Sequence, residues 1–354
     1  MNLTTIWQMN FIKLHIFGKF EVMKRRDLIK TSIALGLGGI TSIKDLDSMV
    51  KTIENQYNSK YKKNKNIVII LLSGGVRFED SAVALERETN TWMPNLFPGE
   101  MASHPSIKAI PSISKAPLTS TLSNFYNISD APNQHNQALS QILGTSSNVS
   151  LASARLLIEK ESPLLVAIQS LQKKNKNLFY LHDIPNTENL IDSKDLEIKS
   201  AINATVKEVY TSSEKSLSGN QTQLFEKALD VIHSNSPRIT IIHPRMLDCA
   251  HSNSTKYYQS LNQLDYSIAW LMAQLKQLNI KHFMETNWFI LPEIGRNSQG
   301  NSIVDKNKLP GYDHHHPSAK RSWMIEYNVK NIVAKKSELS HNQLHNTIFN
   351  SISL

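Results

Sequence analysis

Short apolar runs recur along the chain, and polar or glycine-rich sequence follows each of them. The first run, IVIILL at residues 67–72, is apolar at every position and ends at Ser73-Gly74-Gly75. A run without polar alternation is typical of a central strand that is buried on both faces of a sheet. Similar runs predict further strands: NLFYL at 177–181, RITIIH at 238–243, NWFIL at 287–291 and SWMIEY at 322–327.

Amphipathic helical patterns lie between these runs. The longest pattern, at residues 255–278, repeats apolar residues in steps of four and three: Tyr257, Leu261, Leu264, Ile268, Leu271, Leu275 and Leu278. Strands that alternate with long helices favour an α/β fold with a mainly parallel central sheet that helices cover on both faces. A Ser-, Asn- and Lys-rich stretch at residues 211–223 predicts a loop.

Composition changes this picture in two ways. The chain of 354 residues carries a formal net charge of +9, but residues 1–66 hold 12 Lys and Arg against 5 Asp and Glu, a net of +7. Residues 67–354 therefore hold 27 against 25, a net of +2, so the body lacks the basic surface expected of a nucleic-acid partner. Cys249 is the only cysteine, which excludes an intrachain disulfide and a cysteine-based zinc cage.

The basic leader has the pattern of a targeting segment. MKRRDLIKTSIALGLGGITSI, from Met23, places Arg25 and Arg26 before an apolar run that is too short to span a bilayer. It resembles a twin-arginine export signal and predicts a periplasmic or envelope protein. A basic amphipathic helix start is the alternative, and the absence of an obvious cleavage site leaves open an uncleaved membrane anchor. We predict an upstream extension at 1–22, the signal or anchor at 23–45, a charged linker at 46–66 and one α/β domain at 67–354.

Chemistry in such folds sits at the carboxyl ends of the strands. Three predicted strands end in polar sequence: the first at Gly74-Gly75, the third just before Asp248 and His251, and the fourth at Glu293. Further along, GYDHHHP places three adjacent histidines after Asp313. Adjacent imidazoles are rarely chosen for packing, because each must be hydrated, hydrogen-bonded or coordinated. These segments therefore predict one binding site at one sheet edge.

The order of these motifs resembles the alkaline phosphatase-like superfamily of phosphatases, phosphodiesterases and sulfatases. In that superfamily an Asp and a His precede a helix with an LD..I..L...L pattern, which is matched here by Leu264, Asp265, Ile268, Leu271 and Leu275. PEIGRN resembles the Glu-x-Gly-Arg form of a poorly characterised branch, and GYDHH resembles its Gly-x-Asp-His segment. The resemblance extends from about residue 66 to the end of the chain and implies a metal-dependent hydrolase fold.

Two positions depart from the superfamily pattern. Gly74 stands where the first strand normally ends in a metal-binding Asp, and glycine has no side chain to coordinate a metal ion. Gln134 lies near the position of the usual nucleophile, about ten residues before Gly144, and its amide has no nucleophilic oxygen to activate. The usual two-metal reaction with a covalent intermediate is therefore not expected.

The remaining residues still suit one divalent metal ion. The predicted ligands combine carboxylate and imidazole groups, which suit zinc, manganese or iron: Asp248, His251, Glu293, Asp313, His314 and His315. Arg77 and Arg296 are predicted to bind an anion, because guanidinium groups pair with phosphate or sulfate oxygens. Each group also has a structural alternative: a helix-start acid beside a surface histidine, a solvated histidine loop, a Glu293–Arg296 brace, or a fixed surface salt bridge for each of the two arginines.

Two functions are consistent with these residues. The first is an exported metal-dependent hydrolase that acts on a phosphate or sulfate ester, the anionic partner being a small ester or a glycan. The second is a non-catalytic envelope protein that kept the fold, with or without one metal ion, and binds an anionic ligand, a glycan or a protein, because fold alone does not imply function. Retention of Asp248, Glu293 and the histidine run favours the first hypothesis, and loss of the first-strand Asp and the nucleophile favours the second.

Overall fold

The computed structural model describes residues 64–87, 89–120, 123–145, 156–184, 190–328 and 335–352. These residues all belong to one unit, Lys63–Leu354. The predicted extension and export signal lie outside the described residues. In the described residues, no helix has the length and apolar character needed to cross a membrane.

Ten strands and seven α-helices form the described part of the fold. The strands are β1 (Asn66–Leu72), β2 (Ser123–Ile128), β3 (Leu156–Leu157), β4 (Leu178–His182), β5 (Ile191–Asp192), β6 (Val206–Tyr210), β7 (Ile239–His243), β8 (Thr286–Pro292), β9 (Ser322–Tyr327) and β10 (Lys335–Glu338). The helices are α1 (His135–Leu143), α2 (Pro163–Lys173), α3 (Leu196–Thr205), α4 (Gln223–Asn235), α5 (Ser254–Leu278), α6 (Ile280–Met284) and α7 (Leu344–Asn350). Short 3-10 helices occupy Phe78–Asp80, Ala82–Leu85, Leu118–Ser120, Met246–His251, Pro317–Lys320 and His341–Gln343.

Eight strands form one sheet in the order β10-β2-β9-β8-β1-β7-β4-β6. All neighbouring pairs in this sheet are parallel except those of β9, which runs antiparallel to both β2 and β8. The two short strands β3 and β5 pair separately. The predicted α/β fold with a mainly parallel sheet is therefore confirmed.

The central strand β1 is buried at every position, as its apolar run predicted. Val68, Ile70 and Leu72 join a core cluster with the inner faces of α4 and α5. Ile67, Ile69 and Leu71 point to the other face and pack in a second cluster with α1, α2, α3 and α7. Since successive side chains of a strand alternate between the faces of a sheet, the continuous apolar run supplies both cores.

The predicted strands and the long helix agree with the structure to within one residue. Six of the seven apolar residues predicted to face the core from α5 are buried. The prediction was wrong for Leu278, which is 52% exposed because it is the last helical residue before Asn279 ends the helix. The predicted loop at 211–223 joins β6 to α4, which begins at Gln223.

Candidate functional site

The carboxyl ends of β1, β7 and β8 meet at one edge because β1 pairs in parallel with both neighbours. Gly74 follows β1 with φ +90°, a left-handed conformation that favours glycine. A Cβ at Gly74 would lie 2.3 Å from the backbone nitrogen of Asp248. Gly74 therefore lets the segment after β7 pack directly against the end of β1. The backbone N–H of Gly74 lies 3.4 Å from Oε2 of Glu293, so the three predicted strand ends do converge.

Glu293 is the buried acid at this edge, with only 1% of its surface exposed. Its Oε2 accepts hydrogen bonds from the hydroxyl of Ser73 at 2.7 Å and from Nδ1 of His135 at 3.0 Å. Burial raises the pKa of Glu293, but the hydrogen bonds and the positive charge of His135 outweigh it, and the net pKa lies below the ordinary value. Glu293 is therefore ionised at neutral pH.

His135 is the first residue of α1 and was not predicted as a site residue. Gln134, which the sequence placed near the nucleophile position, is the residue that precedes the helix. Burial lowers the pKa of His135, but its hydrogen bond to Glu293 and the charge of that carboxylate raise the net pKa above the ordinary value. Glu293 therefore favours the protonated ring, and in that form the two residues are an ion pair. The sequence did contain a signal for His135, because this histidine lies next to the position where the superfamily has its nucleophile.

The histidine run folds back onto this edge. Its first residue, His314, lies between His135 and His251. This side chain is buried, with 7% exposure, and its Nδ1 donates to the backbone carbonyl of Asn133 at 2.7 Å. Its ring centroid lies 5.1 Å from that of His135 and 5.1 Å from that of His251. Burial lowers the pKa of His314 to about 4, and the charge of His135 adds to this effect. His314 is therefore neutral, with its lone pair on Nε2.

His251 completes the row of imidazole rings. Its Nδ1 donates to Oδ1 of Asp313 at 2.8 Å, and both side chains are 37% exposed. The exposed ring of His315 lies over His314 with a centroid distance of 4.3 Å. We call His135, His251, His314 and His315, together with the acids Glu293 and Asp313, the imidazole cluster. His135, His251 and His314 are each oriented by an oxygen acceptor on Nδ1, which leaves Nε2 as the nitrogen that can meet a ligand.

Asp248 lies beside Gly74, but its carboxylate pairs with another residue. Its Oδ2 accepts two hydrogen bonds from Arg245, at 2.9 and 2.7 Å. In the described residues, no three His, Cys, Asp or Glu side chains converge into a group that could hold a metal ion. The structure therefore brings the predicted ligands to one edge without forming a complete coordination shell, and their metal-binding role stays a prediction.

The two arginines predicted to bind an anion hold backbone segments in place. Arg77 donates to the carbonyls of Asn297 at 3.2 Å and Ser298 at 2.6 Å, and it pairs with Asp80 at 3.0 Å. Arg296 is 1% exposed, and one of its terminal nitrogens donates to the carbonyl of Tyr312 at 2.5 Å. Both guanidinium groups therefore bind backbone carbonyls of the loop that carries the histidine run and stabilise its conformation. Anion binding by either arginine stays a prediction.

A cavity of about 630 Å³ opens beside the start of α1. Side-chain amides supply much of its wall, including those of Gln134, Gln137, Gln141 and Asn342. None of the residues predicted from the sequence as metal ligands or anion-binding groups lines this cavity. The imidazole cluster and the cavity are therefore separate features that adjoin α1.

No model of a known protein family matches the chain, and no curated protein matches it. Solved structures do. The chain is similar to a protein in the alkaline phosphatase superfamily from Vibrio parahaemolyticus, with 9% identity and a TM-score of 0.44. This match covers 80% of the chain and 65% of the Vibrio protein, so it spans less than two thirds of that protein's length.

Two further matches have similar scores. The C-terminal periplasmic domain of EcEptC from Escherichia coli, in complex with Zn, matches with 11% identity and a TM-score of 0.43, covering 80% of this chain and 81% of that one. The alkaline phosphatase from the Antarctic bacterium TAB5 matches with 11% identity and a TM-score of 0.44, covering 82% and 98%. The structures to which the chain is similar thus include proteins of the alkaline phosphatase superfamily, the superfamily that its sequence motifs resemble.

Proposed function

We propose that the chain is an exported hydrolase of phosphate or sulfate esters whose reaction takes place at the imidazole cluster. The observation that carries this proposal is the contrast between two adjacent rings. Nδ1 of His135 donates to buried Glu293 at 3.0 Å, and this contact raises the pKa of the ring, whereas burial lowers the pKa of His314 to about 4. Ester hydrolysis is accelerated by a proton donor and a proton acceptor at the reacting bond. His135 and His314, whose ring centroids are 5.1 Å apart, can supply the two groups.

The residues have distinct roles in this proposal. His135, protonated, donates a hydrogen bond from Nε2 to the leaving-group oxygen of the ester. It transfers that proton to the oxygen as its bond to phosphorus or sulfur breaks, while Glu293 keeps the ring oriented and favours its protonated form. His314 has its Nδ1 proton engaged by Asn133, which leaves one lone pair, on Nε2. Without a metal ion this lone pair accepts the proton of an attacking water. With a metal ion bound it would be a ligand, and the water would be activated by the ion instead. Water replaces the nucleophile that Gln134 cannot supply.

The donor set fits one divalent ion in its chemistry. Nε2 of His251 and of His314, with a carboxylate of Asp248 or Asp313, would hold zinc, manganese or iron, and His315 and Glu293 are further candidates. The hydrogen bonds on Nδ1 of His251 and His314 are the orienting contacts typical of metal-binding histidines. A bound ion would polarise the ester and lower the pKa of a bound water.

A non-catalytic binding protein is the second candidate, and Gly74 favours it. A side chain at Gly74 would collide with the backbone after β7, so this position cannot supply the usual first-strand carboxylate. The carboxylate of Glu293 is also already engaged by Ser73 and His135. In this alternative, the cationic His135 would bind an anionic ester or glycan without hydrolysing it.

Metal content and ester hydrolysis distinguish the two candidates. The full chain, without a histidine tag, would be assayed for bound metal and for hydrolysis of p-nitrophenyl phosphate, bis-p-nitrophenyl phosphate and p-nitrophenyl sulfate. We expect His314→Ala to lower both metal content and hydrolysis, and His135→Gln to lower hydrolysis with less effect on metal. His233→Ala, at an exposed position near the end of α4, is the control. Metal-free protein with no hydrolysis of any ester would contradict the hydrolase proposal.

Export rests on the leader, which lies outside the described residues. We propose that Arg25 and Arg26 direct the chain through the twin-arginine route to the periplasm or envelope. Replacing both with Lys should leave the protein in the cytoplasm, as measured by fractionation and immunoblotting. Undiminished export of that variant would refute the route.

A further inference from the structure

The chain between Asn301 and Gly311 forms a tight hairpin on the surface. Backbone N–H groups of Asn301, Asp305 and Gly311 donate to the carbonyls of Gly311, Leu309 and Ile303, respectively, at 2.7 to 2.9 Å. We call residues 301–311 the hairpin. Its two arms therefore hydrogen-bond to each other on either side of the turn at residues 305–308.

The hairpin is anchored from inside by Asp305. Oδ2 of Asp305 accepts hydrogen bonds from the backbone N–H of Thr255 at 2.8 Å and from its hydroxyl at 2.7 Å. Oδ1 accepts from the N–H groups of Asn307 at 2.8 Å and Leu309 at 3.1 Å. One carboxylate oxygen of Asp305 therefore bonds to the start of α5 and the other bonds within the turn. These bonds fix the shape of the hairpin without a partner.

The outer surface of the hairpin is apolar and basic. In the part of the chain that the structure describes, Ile303 is 51% exposed and Val304 is 60% exposed. Lys306 and Lys308 are also exposed. Single exposed apolar residues are normal on soluble proteins. Two adjacent ones at a preformed turn, next to two lysines, make an amphipathic surface of the kind that binds a lipid–water interface.

The base of the hairpin contacts the imidazole cluster. The side-chain amide of Asn301 donates to the backbone carbonyl of His251 at 3.1 Å. A Cβ at Gly311 would lie 2.1 Å from that same carbonyl oxygen, so the hairpin packs directly on the segment that carries His251. Whatever surface the hairpin binds is therefore brought next to the cluster.

We propose that the hairpin docks the protein on an anionic phospholipid bilayer. Ile303 and Val304 would enter the headgroup region, and Lys306 and Lys308 would pair with lipid phosphates. Charge complementarity selects an anionic bilayer over a neutral one, because the exposed charged side chains of the hairpin are both lysines. The inference does not depend on hydrolysis at the imidazole cluster.

The test uses the full chain with a local probe, so that membrane binding through the leader does not obscure the result. Val304→Cys is labelled with a polarity-sensitive fluorophore in a Cys249→Ser background and mixed with vesicles of neutral phosphatidylcholine, with or without phosphatidylglycerol. The matched control carries the same label at Leu217→Cys, a fully exposed apolar position in the 211–222 loop. A third protein adds Lys306→Gln and Lys308→Gln to the labelled Val304 variant.

We expect a blue shift and at least a twofold rise in emission at position 304 with phosphatidylglycerol vesicles. We expect no change at position 217, and a reduced response when the two lysines are replaced. An unchanged emission at 304, an equal response at 217, or an equal response to neutral vesicles would overturn the proposal. A shift that depends on protein concentration without vesicles would assign the hairpin to an interface between copies of the chain and would also overturn it.

Discussion

Glu293→Gln tests the ion pair on which the proposed chemistry depends. Glutamine keeps the shape of the side chain and can still accept a hydrogen bond from Ser73, but it carries no charge to hold His135 as a cation. Breaking a buried ion pair costs about 3–5 kcal/mol. Since the His135 side chain is 29% exposed and regains some hydration, we expect the free energy of unfolding to fall by about 2–3 kcal/mol at pH 6.

The assay is urea unfolding of the full chain, followed by tryptophan fluorescence. The matched control is Glu285→Gln, which removes the surface pair of Glu285 and Lys65 at 2.7 Å, where the two side chains are 20% and 52% exposed. An exposed pair of this kind contributes less than about 1 kcal/mol. A double-mutant cycle with His135→Gln isolates the coupling between Glu293 and His135, which we expect to be about 2 kcal/mol.

The pKa shifts of the two residues determine the pH range in which the loss of stability is largest. The pKa of His135 is raised by folding, so its contribution is complete below its ordinary pKa of 6.5 and is lost as pH rises through the folded value. The pKa of Glu293 is lowered, so its contribution is complete above its ordinary pKa of 4.5 and is lost as pH falls through the folded value. The stability difference between wild type and Glu293→Gln should be largest between pH 4.5 and 6.5.

NMR titration of the imidazole of His135 provides an independent measurement. We expect its pKa to lie above 6.5 in the wild type and below 6.5 in Glu293→Gln, because burial without the carboxylate disfavours the cation. A stability loss no larger than that of Glu285→Gln, together with an unchanged pKa of His135, would refute the ion pair.

Two further predictions concern stability. Gly74→Ala should destabilise the fold by about 3 kcal/mol or more, because its Cβ would meet the backbone of Asp248, whereas Gly219→Ala should cost less than about 1 kcal/mol in the same urea assay. Acid should also destabilise the protein as pH falls from 6.5 to 4, because burial lowers the pKa of four histidines to about 4: His243, His282, His314 and His341. Asp80 and Asp265, with pKa values raised by burial to about 6 and 7, oppose this effect. Unfolding therefore takes up about two protons net, and stability should fall by roughly 3 kcal/mol per pH unit near pH 5. Unfolding measured at pH 6 and pH 5 checks the slope, and equal stability at the two values would contradict the burial of these histidines.

The strands that were predicted correctly are those whose side chains are mostly apolar. β1 and β8 are buried along their whole length, and such runs are recognisable without knowledge of their neighbours. The strand β2, with sequence SNFYNI, was not predicted because its burial is partial and its polar residues face cross-strand partners. Tyr126, for example, donates to Glu326 of β9 at 2.8 Å. A strand stabilised by such contacts lacks a periodic signal of its own.

Only part of the candidate site could be predicted from the sequence. Local sequence placed Gly74, Asp248 and Glu293 after buried strands, and parallel pairing of those strands is enough to bring their ends to one edge. Local sequence did not show which groups would pair. The partner of Glu293 is His135, 158 residues away in the chain, and Asp248 pairs instead with Arg245.

Periodicity and strand ends depend on the side chains of neighbouring residues. The sequence alone therefore determined the α/β class, the central strand, the long helix and the sheet edge at which the candidate site residues lie. Charge states depend on burial and on contacts between distant residues. The raised pKa of His135 requires the carboxylate of Glu293, and the lowered pKa of His314 requires the burial of its ring. Only the tertiary structure could decide these states, because the free energy of a charge is set by the groups that surround it in space.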